Sequence, residues 1–166
     1  MKHFIFLLLL GSSMTLNSQN TTCKCCTENY KAFDFWLGEW TVYKPDGSLA
    51  GTNSIDKIQG NCVVRENWKS AQGNYTGTSS NFYNAQTGEW EQIWIDNQGG
   101  SLHLKGHRVG NQMILKSDML KGNDGIPFYH QITWTKNDDG SVRQYWETFK
   151  KKDTIVAFNG LYKKTE

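Results

Sequence analysis

The sequence predicts an all-β fold: an antiparallel up-and-down barrel of about ten strands, with a short N-terminal helix closing one end. Three observations carry that reading. From Gly38 onward, apolar and polar residues alternate with a period of two, in runs rich in Trp, Tyr, Phe, Val and Ile. The runs are separated by Asp-Gly, Gly-Asn and Gly-Gly turn signals, which suit tight hairpins. No connection is long enough for a helical crossover, so parallel pairing is excluded. An open meander of this length exposes an edge, and closure removes it. Two packed sheets are the alternative architecture.

The first 18 residues read as an export signal. Met1-Lys2-His3 forms a basic start, and Phe4–Leu10 forms an apolar stretch too short to span a bilayer. Cleavage after Ser18 would start the mature chain at Gln19, although Leu16 is larger than the −3 position prefers. Cys23 follows Asn20-Thr21-Thr22, a poor context for lipidation. The expectation is an exported, periplasmic or extracellular protein without a membrane span. Residues 19–29 form a cysteine-rich segment, and 30–166 form a single barrel domain.

Between Thr27 and Leu37 the period is helical. Tyr30, Phe33, Trp36 and Leu37 fall on one stripe, Thr27 can cap the N-terminus, and Gly38 ends the helix. The strands then follow in order: Glu39–Tyr43, Leu49–Ile58, Cys62–Ser70, Tyr75–Tyr83, Glu89–Asp96, Ser101–Val109, Gln112–Asp118, Pro127–Thr135, Ser141–Phe149 and Thr154–Lys163. With 7 Trp, 7 Tyr and 8 Phe, the chain can bury far more area than a disordered one.

Four cysteines in an exported chain favour disulfides. Cys25 and Cys26 are adjacent and poor partners for each other, so one of Cys23, Cys25 and Cys26 is expected to reach Cys62. A Cu(I) or Zn site on Cys23-Lys24-Cys25-Cys26, or free thiols, are the other readings. A formal net charge of +2 gives no footprint for nucleic acid, which needs a clustered basic face. Lys150-Lys151-Lys152 reads as a solvated hairpin tip.

Phe33-Asp34-Phe35-Trp36-Leu37-Gly38-Glu39-Trp40, a short helix running into Gly-x-Trp, resembles the opening of lipocalins and their calycin relatives. Cys62–Trp68, Trp90–Asp96, Ile132–Thr135, Asp139–Glu147 and Gly160-Leu161-Tyr162 resemble a family of exported bacterial calycin-like domains. The resemblance covers roughly residues 30–163 and implies an exported β-barrel; it carries no activity with it. By resemblance to lipocalins, Arg143 on a late strand would pack over the Trp40 indole. Nitrobindin-type haem barrels are another calycin branch, with a His ligand near the C-terminus. The tail Phe158–Lys163 has no His, which disfavours haem, and no other cofactor is implied.

Alternation sorts the candidate site. The faces carrying Trp68 and Glu66, and Trp90, Gln92, Trp94 and Asp96, are expected to point inward, because indole buries the most area. Polar groups drawn in with them must find partners, a bound molecule or water. Glu66 could instead pair with a barrel arginine. His130 shares a face with Phe128, Ile132 and Trp134, and is either a hydrogen-bonded core residue or a general base. Arg143 either packs over Trp40 or faces the cavity, in which case Gln144 faces outward. His103 and His107, about 13 Å apart on a strand, are too distant to share an ion and are expected to be exposed.

The leading expectation is a binding module. Trp68, Trp90, Trp94, Trp134 and Trp146 supply apolar walls for a small hydrophobic or amphipathic molecule, and Glu66, Gln92, His130 and Arg143 supply polar contacts. The alternatives are an enzyme using Glu66 or His130 as general base with Arg143 stabilising negative charge, and a structural or metal-handling protein built on the cysteine cluster.

Overall fold

The computed structural model describes residues 23–165. The expected export signal, 1–18, lies outside the described residues. The chain opens with a one-turn helix α1 (Glu28–Lys31), followed by a separate 3-10 turn at Asp34–Trp36. Eleven strands follow: β1 (Gly38–Tyr43), β2 (Leu49–Ile58), β3 (Val63–Ser70), β4 (Thr76–Asn84), β5 (Glu89–Asp96), β6 (Ser101–Val109), β7 (Gln112–Lys116), β8 (Leu120–Lys121), β9 (Pro127–Lys136), β10 (Val142–Lys150) and β11 (Asp153–Lys164).

All pairings are antiparallel, and each long strand pairs with its neighbours in sequence. The circuit closes where β11 pairs with β1, through Val42↔Tyr162 and Thr41↔Lys163. Ten strands thus form a closed barrel with no free edge. The two-residue β8 extends the line of β7 along β9, with Leu120 opposite Phe128. The expected strand Gln112–Asp118 therefore stops at Lys116 and resumes at Leu120.

The expected single helix Thr27–Leu37 is instead broken in two. Phe33 adopts φ −105° and ψ 6°, which ends one turn and starts the next. The apolar stripe survives the break: Phe33 and Trp36 are fully buried, while α1 buries nothing. Phe33 stacks on Trp36 at 4.9 Å and meets Trp90 and Trp134 edge-on at 5.6 and 5.2 Å. This aromatic cluster lies at the end of the barrel where β1 begins.

Trp40 donates its indole N–H to the Trp36 carbonyl at 2.8 Å. The cation over the Trp40 ring is Lys164, with Nζ 3.9 Å from the centroid, and its ammonium also donates to the Leu37 carbonyl. The arginine expected there by resemblance is elsewhere: Arg143 points outward and lies over Tyr145. Strand alternation decides this, because Gln144 is the residue of that pair drawn inward.

The cysteines form Cys23–Cys26 and Cys25–Cys62, with Cα separations of 5.4 and 5.0 Å. Cys62 sits in the turn between β2 and β3, so the second bridge ties the N-terminal segment to the barrel. The pairing fits an oxidising compartment. All four sulfurs are consumed, so in this form the cluster presents no thiolate for Cu(I) or Zn. Among the described residues, no helix is long and apolar enough to cross a membrane.

Candidate functional site

Above the aromatic cluster, toward the opposite end of the barrel, the interior is not filled. A cavity of about 330 Å³ remains. Its walls are Trp68 from β3, Trp94 from β5, Trp146 from β10 and Phe158 from β11, with Leu102 and Ile132 between them. Trp68 and Phe158 meet edge-to-face at 5.9 Å. Lys44, Ser70, Tyr75 and Ala157 form the rim, at the end of the barrel where β1 finishes and β4 starts.

Two glycines make the walls possible. A Cβ on Gly51 would lie 2.7 Å from the Trp68 indole, and one on Gly77 would fall within the Trp94 ring. Both positions face inward, so the missing side chains let the indoles lie flat across neighbouring strands.

The polar groups of the cavity come from one continuous network that crosses six strands. Glu66 on β3 accepts from Asn53 Nδ2 of β2 at 2.7 Å and from Ser79 Oγ of β4 at 2.6 Å. Asn81 Nδ2 donates to Ser79 Oγ at 2.8 Å, and Gln92 Nε2 of β5 donates to Asn81 Oδ1 at 2.8 Å. On the other side, Asn53 Nδ2 donates to the Tyr162 hydroxyl of β11 at 3.3 Å, and that hydroxyl donates to Gln144 Oε1 of β10. Glu66, Gln92, Gln144 and Tyr162 reach the cavity surface.

Glu66 is 4% exposed. Burial pushes its carboxyl up to about 7, against the opposing effect of the bonds from Ser79 and Asn53. The expected pairing with a barrel arginine is not made. Arg65, next in sequence, points outward and binds Asp56 through two N–H groups. Among the described residues Glu66 has no salt-bridge partner; its partners are neutral. Tyr162 is held well above the usual phenol range by burial and by the nearby Glu66 carboxylate.

The other sequence candidates divide by depth. Trp68, Trp94, Trp146, Glu66 and Gln92 meet at the cavity. Trp90 and Trp134 face inward but lie one level down, in the aromatic cluster, where Trp90 donates to the Asn29 carbonyl at 3.0 Å. Neither lines the cavity. Arg143 borders a separate cleft with Lys44 and Lys163. Asp96 sits near the rim, accepting from the Tyr75 hydroxyl at 3.1 Å and from the Gln98 and Gly100 amides.

His130 stands behind the wall. Its Nδ1 accepts from Trp146 Nε1 at 3.1 Å and lies 2.9 Å from Thr148 Oγ1. An indole N–H can only donate, so Nδ1 is unprotonated and the neutral ring carries its hydrogen on Nε2. Burial lowers the His130 pKa, which favours this neutral form. The residue positions Trp146 and has no hydrogen bond to the Glu66 network. His103 and His107 are exposed and bind separate acids, Glu91 at 2.8 Å and Glu89 at 3.6 Å.

Sequence reasoning missed Asn53, Ser79, Asn81 and Tyr162. Their common signal was a polar residue on the same alternation face as Glu66 or Gln92, on strands that otherwise bury apolar groups. Among the described residues, no group of three or more His, Cys, Asp or Glu side chains converges as a metal site. Compared with known proteins, the chain matches no protein-family model and no curated protein.

Proposed function

We propose that the protein is an exported, calycin-like barrel that binds a small amphipathic molecule in its aromatic cavity. The carrying observation is the pairing of the open, indole-walled space of about 330 Å³ with a small set of polar groups at one pole. Sites for small molecules are of this size and composition: mostly apolar walls, with a few fixed polar groups that orient the ligand. A barrel that served only as a packed scaffold would fill this volume with side chains. In this reading the Phe33 and Trp36 segment is the closed end, and the rim at Lys44, Tyr75 and Ala157 is the mouth. The two disulfides and the basic-apolar start of the chain support export.

An acid–base enzyme built on Glu66, His130 and Arg143 is less well supported. His130 spends its free nitrogen on Trp146, and Arg143 lies on the outer surface. Only Glu66 of the three faces the cavity.

The test is a titration of the disulfide-intact protein with Nile red, following dye emission and tryptophan quenching, alongside native mass spectrometry for retained adducts. One-to-one binding is expected. Ala157→Trp, at the exposed rim, should weaken binding at least tenfold while leaving the melting temperature unchanged. Absence of saturable binding, or binding indifferent to Ala157→Trp, would sink the proposal.

A further inference from the structure

The chemistry at the cavity's polar pole narrows the ligand class, given that the cavity binds a ligand at all. The pole is rich in acceptors. Glu66 accepts one bond on each oxygen, and each oxygen has capacity for a second. Gln92 uses its amide N–H groups on Asn81 and Ser79, which leaves its carbonyl oxygen without a hydrogen bond among the described residues. Asn53 Oδ1, beside Glu66, is a buried acceptor without a partner. Beside Glu66 and Tyr162, the donor left over is the Gln144 amide, whose oxygen is taken by Tyr162; the Trp68 indole N–H and the Lys44 ammonium belong to the walls and the rim.

The charge balance is equally one-sided. Glu66 is a buried acid with no cation bonded to it, and burying an unpaired carboxylate is costly. The neighbours that face it are neutral or acidic: Asn53 from β2, Ser79 and Asn81 from β4, Gln92 from β5, Gln144 from β10 and the Tyr162 phenol from β11. Tyr75 is a further phenol at the rim, and its partner Asp96 is acidic. Lys44, on the turn after β1, is the cation on the cavity lining and lies at the rim. The walls are the π-faces and edges of Trp68, Trp94, Trp146 and Phe158, surfaces that attract a cation once water is removed.

We infer that the cavity takes a small organic amine in its protonated form, with the ammonium at Glu66 and Gln92 and an aromatic or aliphatic body between Trp68, Trp94 and Trp146. The ammonium supplies the missing positive charge and the missing donors together. A neutral alcohol supplies a single donor, and a carboxylate would set two negative charges against each other.

Ionised Glu66 is the form that binds. The amine should therefore bind more tightly as pH rises through about 7, where Glu66 loses its proton, and should level off above it. His103 and His107, the histidines on the outer face, are far from this pole by strand alternation, and His130 is occupied behind Trp146.

The experiment compares three probes with one body: 2-phenylethylamine, 2-phenylethanol and phenylacetate. Each displaces Nile red from the oxidised, full-length mature protein at pH 6 and pH 8. The amine should exceed the alcohol at least tenfold at pH 8 and lose most of that advantage at pH 6. Glu66→Gln should abolish the amine's preference over the alcohol at both pH values, with circular dichroism reporting that the barrel is folded. Nile red binding without a preference for the amine overturns the amine inference and leaves the binding reading standing. Failure of Nile red and all three probes overturns both.

Discussion

The Glu66 carboxyl makes a stability prediction that can be worked through in full. In the folded protein it titrates near 7, against an ordinary value of 4.5 in the unfolded chain. Between those values the folded state holds a proton that the unfolded state does not. Stability must then fall as pH rises through this window, and level off above 7. The shift corresponds to about 3 kcal/mol, at about 1.4 kcal/mol for each pH unit. The group is buried, so solvent screening takes little from this figure. Glu66→Gln removes the titration and keeps a hydrogen-bonding side chain. Urea unfolding of both proteins, disulfides intact, would be followed by tryptophan emission at pH 4.5, 5.5, 6.5 and 7.5. The wild type should lose about 3 kcal/mol relative to Glu66→Gln across the series. Taking the difference cancels the histidines and the other carboxylates. Parallel curves, constant to within about 0.5 kcal/mol, would refute a raised carboxyl in this cavity.

Three other perturbations probe the frame. Trp36→Ala should cost about 3–5 kcal/mol in urea unfolding, because it opens a void among Phe33, Trp134 and Tyr162. Replacing Cys25 and Cys62 together by Ala should cost about 4 kcal/mol from a loop with a sequence separation of 37. The Cys23–Cys26 pair should cost about half as much, both measured by thermal melts read against urea unfolding. His130 should titrate below 6.5 in an NMR pH series, since its burial opposes the charged form. The stability it supplies is present above 6.5 and lost as pH falls through that lowered value, and His130→Ala should flatten that limb.

The barrel was legible because each strand repeats one simple rule. Period-two alternation and hairpin turns specify pairing between neighbours, and the absence of crossovers leaves closure as the way to remove edges. The same rule identified the faces of Trp68, Trp94 and Glu66. It could not supply depth along the barrel axis. Trp90 and Trp94 share a face, yet one lies in the aromatic cluster and the other on the cavity wall, because that distinction depends on which cross-strand residues sit at each level. Arg143 illustrates a second limit. Alternation says that Arg143 or Gln144 faces inward; only the position of Tyr162, 18 residues away in sequence, selects Gln144. The helix failed for a local reason. A stripe at Tyr30, Phe33 and Trp36 satisfies helical spacing, but two short turns joined at Phe33 bring Phe33 and Trp36 to the core and leave Tyr30 outside it.

The bridge between Cys25 and Cys62 also bears on molecular traffic. Phe33 and Trp36 are held on one side by that covalent tie and on the other by the start of β1, so this segment cannot swing out like a hinged door. If the cavity binds a ligand as proposed and this segment closes its base, the contents exchange through a single neck. An incoming molecule cannot push a resident one out from behind, and departure must precede arrival. The off-rate measured by displacement should therefore be the same at every excess of competitor.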